Sequence, residues 1–124
     1  MHWIAIFLGG GLGAMARFAV SSTLLVRAGD AFPWGTLVVN GAGCFAIGIV
    51  AALFTSNPYP QPLRLFVVTG VLGGFTTFSA FGLETTELFA RGDTGPAVLY
   101  VLGSVGGGLV AVGLGLGLGR MVAS

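Results

Sequence analysis

Four long apolar runs, each broken by only a few polar side chains, divide the 124-residue chain. They extend roughly from Trp3 to Leu25, from Trp34 to Phe54, from Leu63 to Phe89 and from Pro96 to Leu118. A helix rises 1.5 Å per residue, so about 20 apolar residues cross the roughly 30 Å hydrocarbon core of a bilayer. Each run is therefore predicted to be a transmembrane helix. The separators carry turn chemistry: RAGDAFP has Gly, Asp and Pro, TSNPYPQP has three prolines, and RGDTGP has both charge signs with Gly and Pro. Only short turns remain outside the spans, so residues 1–124 read as one four-helix transmembrane domain.

The third run contains a stretch that weakens its own helix, GGFTTFSAF at 73–81. Gly70, Gly73 and Gly74 each lower helix propensity by about 1 kcal/mol relative to alanine, and Thr76 and Thr77 add β-branching. A break is predicted there. It would free backbone carbonyls, which are hard oxygen ligands for an alkali cation, and amides, which are donors for an anion. Such irregular backbone survives in a bilayer only when buried in protein or lining a cavity. Phe75, Phe78 and Phe81 recur every three residues beside it. Their positive ring edges suit an anion, and packing against lipid or neighbouring helices explains the spacing equally well.

Composition supports the membrane assignment: 55% of residues are hydrophobic, 7% are charged, and the mean hydropathy is +0.98. A soluble domain carries about a quarter charged residues. The 23 glycines suggest helices packed backbone to backbone. A net charge of +1 excludes a basic nucleic-acid footprint. Cys44, the one cysteine, has no partner for a disulfide or a thiolate metal site. Residues 14–16, AMA, imitate a signal-peptide cleavage site, but only His2 precedes them as a possible positive charge, so the segment reads as a retained first helix. No nucleophile–base pair or metal cluster points to an enzyme.

Arginine placement sets orientation in short-looped membrane proteins. Arg64 and Arg120 fall on one side of a four-span topology and Arg27 and Arg91 on the other. This balance predicts insertion in both orientations and permits an antiparallel dimer. Four helices also enclose little volume for a pathway, which points to an oligomer.

Several polar residues fall where hydrocarbon is expected. Asn40 lies near the centre of the second span, one turn beyond Thr36; it reads either as helix–helix glue or as a donor facing a pore. Tyr100 and Ser104 stand at i and i+4 on the fourth span. Arg17 in the first span is either functional or snorkels to the interface. The match of Gly11, Gly13 and Ala16 to a dinucleotide fingerprint fails, because no strand–helix–strand pattern surrounds it. Gly113 to Gly119, GLGLGLG, is assigned to packing. Glu84 and Glu87, late in the third span, are expected to be solvated at the interface; proton coupling is the other reading.

Three ordered motifs, GGGLGAMARF at 9–18, GTLVVNGAGCF at 35–45 and GVLGGFTTFSAF at 70–81, followed by Tyr100 and Ser104, resemble the Fluc (CrcB) family of fluoride channels over nearly the whole chain. The resemblance implies an all-α, antiparallel, dual-topology homodimer with two pores, passively exporting fluoride across the cell inner membrane. By the same resemblance Asn40 would donate to fluoride, and Phe78 and Phe81 would be the pore phenylalanines. Ser79, Tyr100 and Ser104 would form a hydroxyl track, and Arg17 would sit in a vestibule. A structural Na⁺ at the dimer interface would be held by the backbone carbonyls of Gly73 and Thr76. Departures from the family pattern stand at Ala80, Phe18 and Gly108. A small four-helix drug/proton antiporter is the alternative; it needs an embedded carboxylate, absent from the first span.

Overall fold

A computed structural model describes residues 1–123; Ser124 lies outside the described residues. Every regular element among them is helical: α1 (His2–Ala28), α2 (Trp34–Ser56), α3 (Gln61–Arg64), a π-helix (Leu65–Leu72), α4 (Gly73–Phe75), α5 (Phe78–Ala90) and α6 (Thr94–Ala123). From α3 to α5 the chain forms one interrupted third span, Gln61–Ala90, so four stretches are long and apolar enough to cross a membrane. The helices outrun the apolar runs that predict them. Pro62 sits in the first turn of α3, where a missing N–H costs nothing, so the helix starts at Gln61 rather than Leu63. α6 continues past Leu118 to Ala123, carrying Arg120 in its last turn, where a cation complements the helix dipole.

Glycine takes up positive φ at two turns, Gly29 after α1 (φ 76°) and Gly92 before α6 (φ 82°), a conformation that side chains with a Cβ resist. The two turns lie on one side of the bundle, as the four-span topology requires. Arg91 links them, donating from its guanidinium to the Ala31 carbonyl at 3.2 Å while pairing with Asp93 at 3.3 Å.

Two close-approach seams hold the spans together. In the first, Gly9 and Gly13 of α1 meet Gly70 and Gly74 of the third span. A Cβ at Gly13 would collide with the Val71 carbonyl, and one at Gly74 would lie 2.5 Å from the Gly10 carbonyl oxygen. In the second, α2 packs on α6 through Gly48, Gly115 and Gly119, each against backbone of the other helix. Both seams repeat small residues at i, i+4, the spacing that lets membrane helices touch at the backbone. The GLGLGLG repeat is thereby divided: Gly115 and Gly119 are buried in the seam, whereas Gly113 and Gly117 face outward with open space around them.

This division predicts contrasting mutants. Gly115→Val, which must displace Phe45 and Ile49 backbone, should destabilise the protein by about 1–3 kcal/mol, as overpacking does. Gly117→Ala should be neutral or slightly stabilising. Thermal unfolding of the two variants in detergent measures the difference.

Candidate functional site

The break in the third span is two residues long. Thr76 (φ −80°, ψ 159°) and Thr77 (φ −151°, ψ 119°) are extended, and a helix resumes at Phe78. An extended pair inside a span removes helical hydrogen bonds, and each lost partner must be replaced internally. Asn40 on α2 supplies two. Its Oδ1 accepts the Thr77 N–H at 2.7 Å, and its Nδ2 donates to the Thr77 carbonyl at 2.8 Å. The Thr77 hydroxyl caps α5, accepting the Ala80 N–H at 3.2 Å, the usual threonine service at a helix start. Thr76 turns its hydroxyl back to the Leu72 carbonyl at 3.0 Å.

These substitutions leave a definite residue of polarity. In an unbroken helix the Thr77 N–H would serve the Gly73 carbonyl and the Ala80 N–H would serve Thr76. Both donors are diverted, to Asn40 and to the Thr77 hydroxyl. The Gly73 and Thr76 carbonyls thus lose their helical donors at the same break. On the other side, the Asn40 amide uses one N–H on Thr77 and keeps a second.

The break opens onto a cavity of about 500 Å³ between α2, the third span and α6. Asn40, Gly73, Thr76, Thr77, Phe78, Phe81 and Ser104 line it, with Cys44 and Gly108 further along. The Ser104 hydroxyl oxygen is buried there without a hydrogen-bond partner. Gly108 brings no hydroxyl to this wall, and a Cβ there would lie a tight 3.3 Å from the Cys44 sulfur. Phe78 and Phe81 have ring centroids 5.6 Å apart, tilted by 44°; Phe78 stands 82% exposed at the edge of the cavity. Phe75 is outside the lining and packs toward Gly43.

Other residues singled out in the sequence lie elsewhere. Ser79 is on an exposed face, its hydroxyl 3.4 Å from that of Thr77. Arg17 is half-buried on α1, outside the cavity lining. Tyr100 is wholly buried, and its single hydroxyl proton goes to Glu84 Oε2 at 2.5 Å, so in this arrangement it offers no donor to an anion. Its ring backs Phe81, with centroids 5.2 Å apart.

Glu84 corrects an expectation. It is not a solvated interfacial carboxylate: it is half-buried, and its other oxygen accepts the Thr36 hydroxyl at 2.7 Å. Glu87, one turn on, is exposed as expected. The sequence hint lay in Thr36, Glu84 and Tyr100 each falling inside an apolar run on a different span; their convergence depends on how the spans pack.

Comparison with known proteins places the chain in one family. The family model described as "CrcB-like protein, Camphor Resistance (CrcB)" matches residues 4–116. The chain is 46% identical over 118 residues to a fluoride-specific ion channel FluC of Chloroflexus aurantiacus, covering 94% of each chain. It is 46% identical over 121 residues to fluoride-specific ion channel FluC 2 of Nitrobacter hamburgensis, covering 97% of this chain and 98% of that one. A FluC of Rhizobium meliloti is 45% identical over 120 residues, covering 96% of each. With four apolar spans, a broken third helix and full-length likeness to these channels, the chain belongs to the CrcB (FluC) family.

Proposed function

We propose that this protein is a fluoride-specific ion channel that lets fluoride leave the cell passively through the inner membrane. The observation that carries the reading is the convergence of Asn40, Phe78, Phe81 and Ser104 on one cavity at the helix break. Fluoride holds its water tightly, so a passage must replace hydration with several donors. The spare N–H of Asn40 and the unpartnered hydroxyl of Ser104 are such donors, and Phe78 and Phe81 present edges that attract an anion without the tight grip of an arginine. Ser79 extends the hydroxyl track beyond the break, and Tyr100 backs Phe81. Arg17 stands in a vestibule, where a fixed positive charge raises local anion concentration.

The working unit is an antiparallel, dual-topology homodimer with two pores, one domain of residues 1–124 from each subunit. Three features support it: the balanced arginines, a cavity with an open side, and the exposed Phe78 ring beside that opening. In the dimer, Phe78 of one subunit and Phe81 of the other meet in each pore. The Gly73 and Thr76 carbonyls, deprived of their helical donors, are a hard-oxygen set that fits a structural Na⁺ at the dimer interface. When bound, that ion would balance the negative ends of the Gly73 and Thr76 carbonyls at the break. The antiporter alternative needs a carboxylate open to protons and substrate, whereas both oxygens of Glu84 are engaged by hydroxyls.

Purified protein in liposomes loaded with potassium fluoride should release fluoride when valinomycin is added, and should retain chloride; equal release of both, or of neither, refutes the proposal. Asn40→Ala should lose fluoride flux by about a hundredfold or more, the scale seen when a positioned donor is removed, while remaining dimeric. Backbone exchange at Thr77 should rise in that variant, read by hydrogen–deuterium exchange. A reporter appended to the C-terminus should be accessible from both sides of the membrane. Labelling from one side alone removes the antiparallel assembly.

A further inference from the structure

Resting on the transport reading above, we infer that Glu84 is a positioning residue that sets the Phe81 ring in the cavity wall through Tyr100. A carboxylate within a membrane span is costly and calls for a role. Glu84 is placed to bind two hydroxyls from two other spans, one on each oxygen: Thr36 of α2 at 2.7 Å and Tyr100 of α6 at 2.5 Å. Both hydroxyls donate to the carboxyl oxygens, which fixes the direction of each O–H bond. Thr36 and Tyr100 are themselves buried, at 6% and 0% exposure, so neither hydroxyl has water to turn to.

The consequence reaches the cavity through the Tyr100 ring. Held at its hydroxyl by Glu84, that ring contacts Phe81 at 5.2 Å and Phe32 edge-on at 5.5 Å. Phe81 in turn meets Phe78 at 5.6 Å. Glu84 and Phe81 lie three residues apart on α5, so the helix and the tyrosine clamp the same phenylalanine from two directions. Without an acceptor at position 84 the buried phenol would lose its 2.5 Å carboxylate contact and keep only the neighbouring Thr36 hydroxyl, and its ring would leave the orientation that backs Phe81. Glu84 itself does not line the cavity; its influence on the anion passes through the aromatic pair.

The test combines flux with a signature of the Tyr100 ring. The chain has two tyrosines, so Tyr59→Phe in protein carrying ring-¹³C tyrosine leaves Tyr100 as the only NMR signal. In that background Glu84→Ala should shift and motionally average the Tyr100 ring signal. It should also cut fluoride release by about ten- to a hundredfold in dimeric protein, the scale of a small misplacement at a working site. Glu84→Gln, which keeps an oxygen acceptor, should leave the ring signal near its original position and lose only about threefold, less than one hydrogen bond's worth to a charged acceptor. Tyr100→Phe should match Glu84→Ala in flux, and the double variant should be no worse than either, because both act through one contact chain. Fluoride release from the parent protein with an unmoved Tyr100 signal in Glu84→Ala overturns this inference alone. So do equal losses in Gln and Ala variants, or losses that multiply in the double variant. A parent protein that releases no fluoride overturns the transport reading itself.

Discussion

The two hydrogen bonds between the Asn40 carboxamide and the Thr77 main chain are what the rest of the site depends on. In hydrocarbon an unpaired peptide group costs several kcal/mol, and an extended pair of residues inside a span exposes such groups at once. A carboxamide is suited to the repair, because it both donates and accepts and so matches a peptide group in both directions. Once Asn40 and the Thr77 hydroxyl take over the donors of the break, the carbonyls of Gly73 and Thr76 are released. One side chain thereby stabilises an irregular backbone and leaves a spare N–H beside it.

The glycine seams serve the same end by a different route. Water does not drive helices together inside a bilayer, so association rests on close packing. Gly9 and Gly13 against Gly70 and Gly74 bring α1 onto the backbone of the third span just before the break. Gly48 with Gly115 and Gly119 does likewise for α2 and α6. With those four spans fixed, Gly43 leaves room for the Thr76 side chain, and the cavity opens between α2, α6 and the interrupted span. The absence of side chains along the seams is therefore what places the polar groups of three helices within reach of one another.

Charge is used sparingly and in two distinct ways. Arg91 and Asp93 pair near the surface and fasten two loops, where an exposed ion pair contributes about 0–1 kcal/mol and mainly sets geometry. Glu84 lies within the bundle and is answered by hydroxyls rather than by a cation. Hydroxyl donors satisfy both oxygens without introducing a positive charge beside them. The Phe81 ring is thereby backed by a tyrosine that is anchored without a cation.

Length and hydropathy determined the four spans, because crossing a bilayer is a local requirement that each run of about 20 apolar residues meets by itself. The break was legible for the same reason: Gly73, Gly74, Thr76 and Thr77 are poor helix formers wherever they are packed. Asn40, Phe78, Phe81 and Ser104 could be singled out as residues out of keeping with their surroundings, and family likeness implied a shared pore, but pattern and spacing alone did not bring them to one cavity. The partners of Glu84 were also hidden, since Thr36 and Tyr100 are 48 and 16 residues away in sequence. So was the split within GLGLGLG, where Gly115 and Gly119 face α2 and Gly113 and Gly117 do not. These outcomes turn on the rotation of each helix about its own axis. Backbone packing at the glycine seams sets that rotation, and it is a property of pairs of helices that no single stretch of sequence contains.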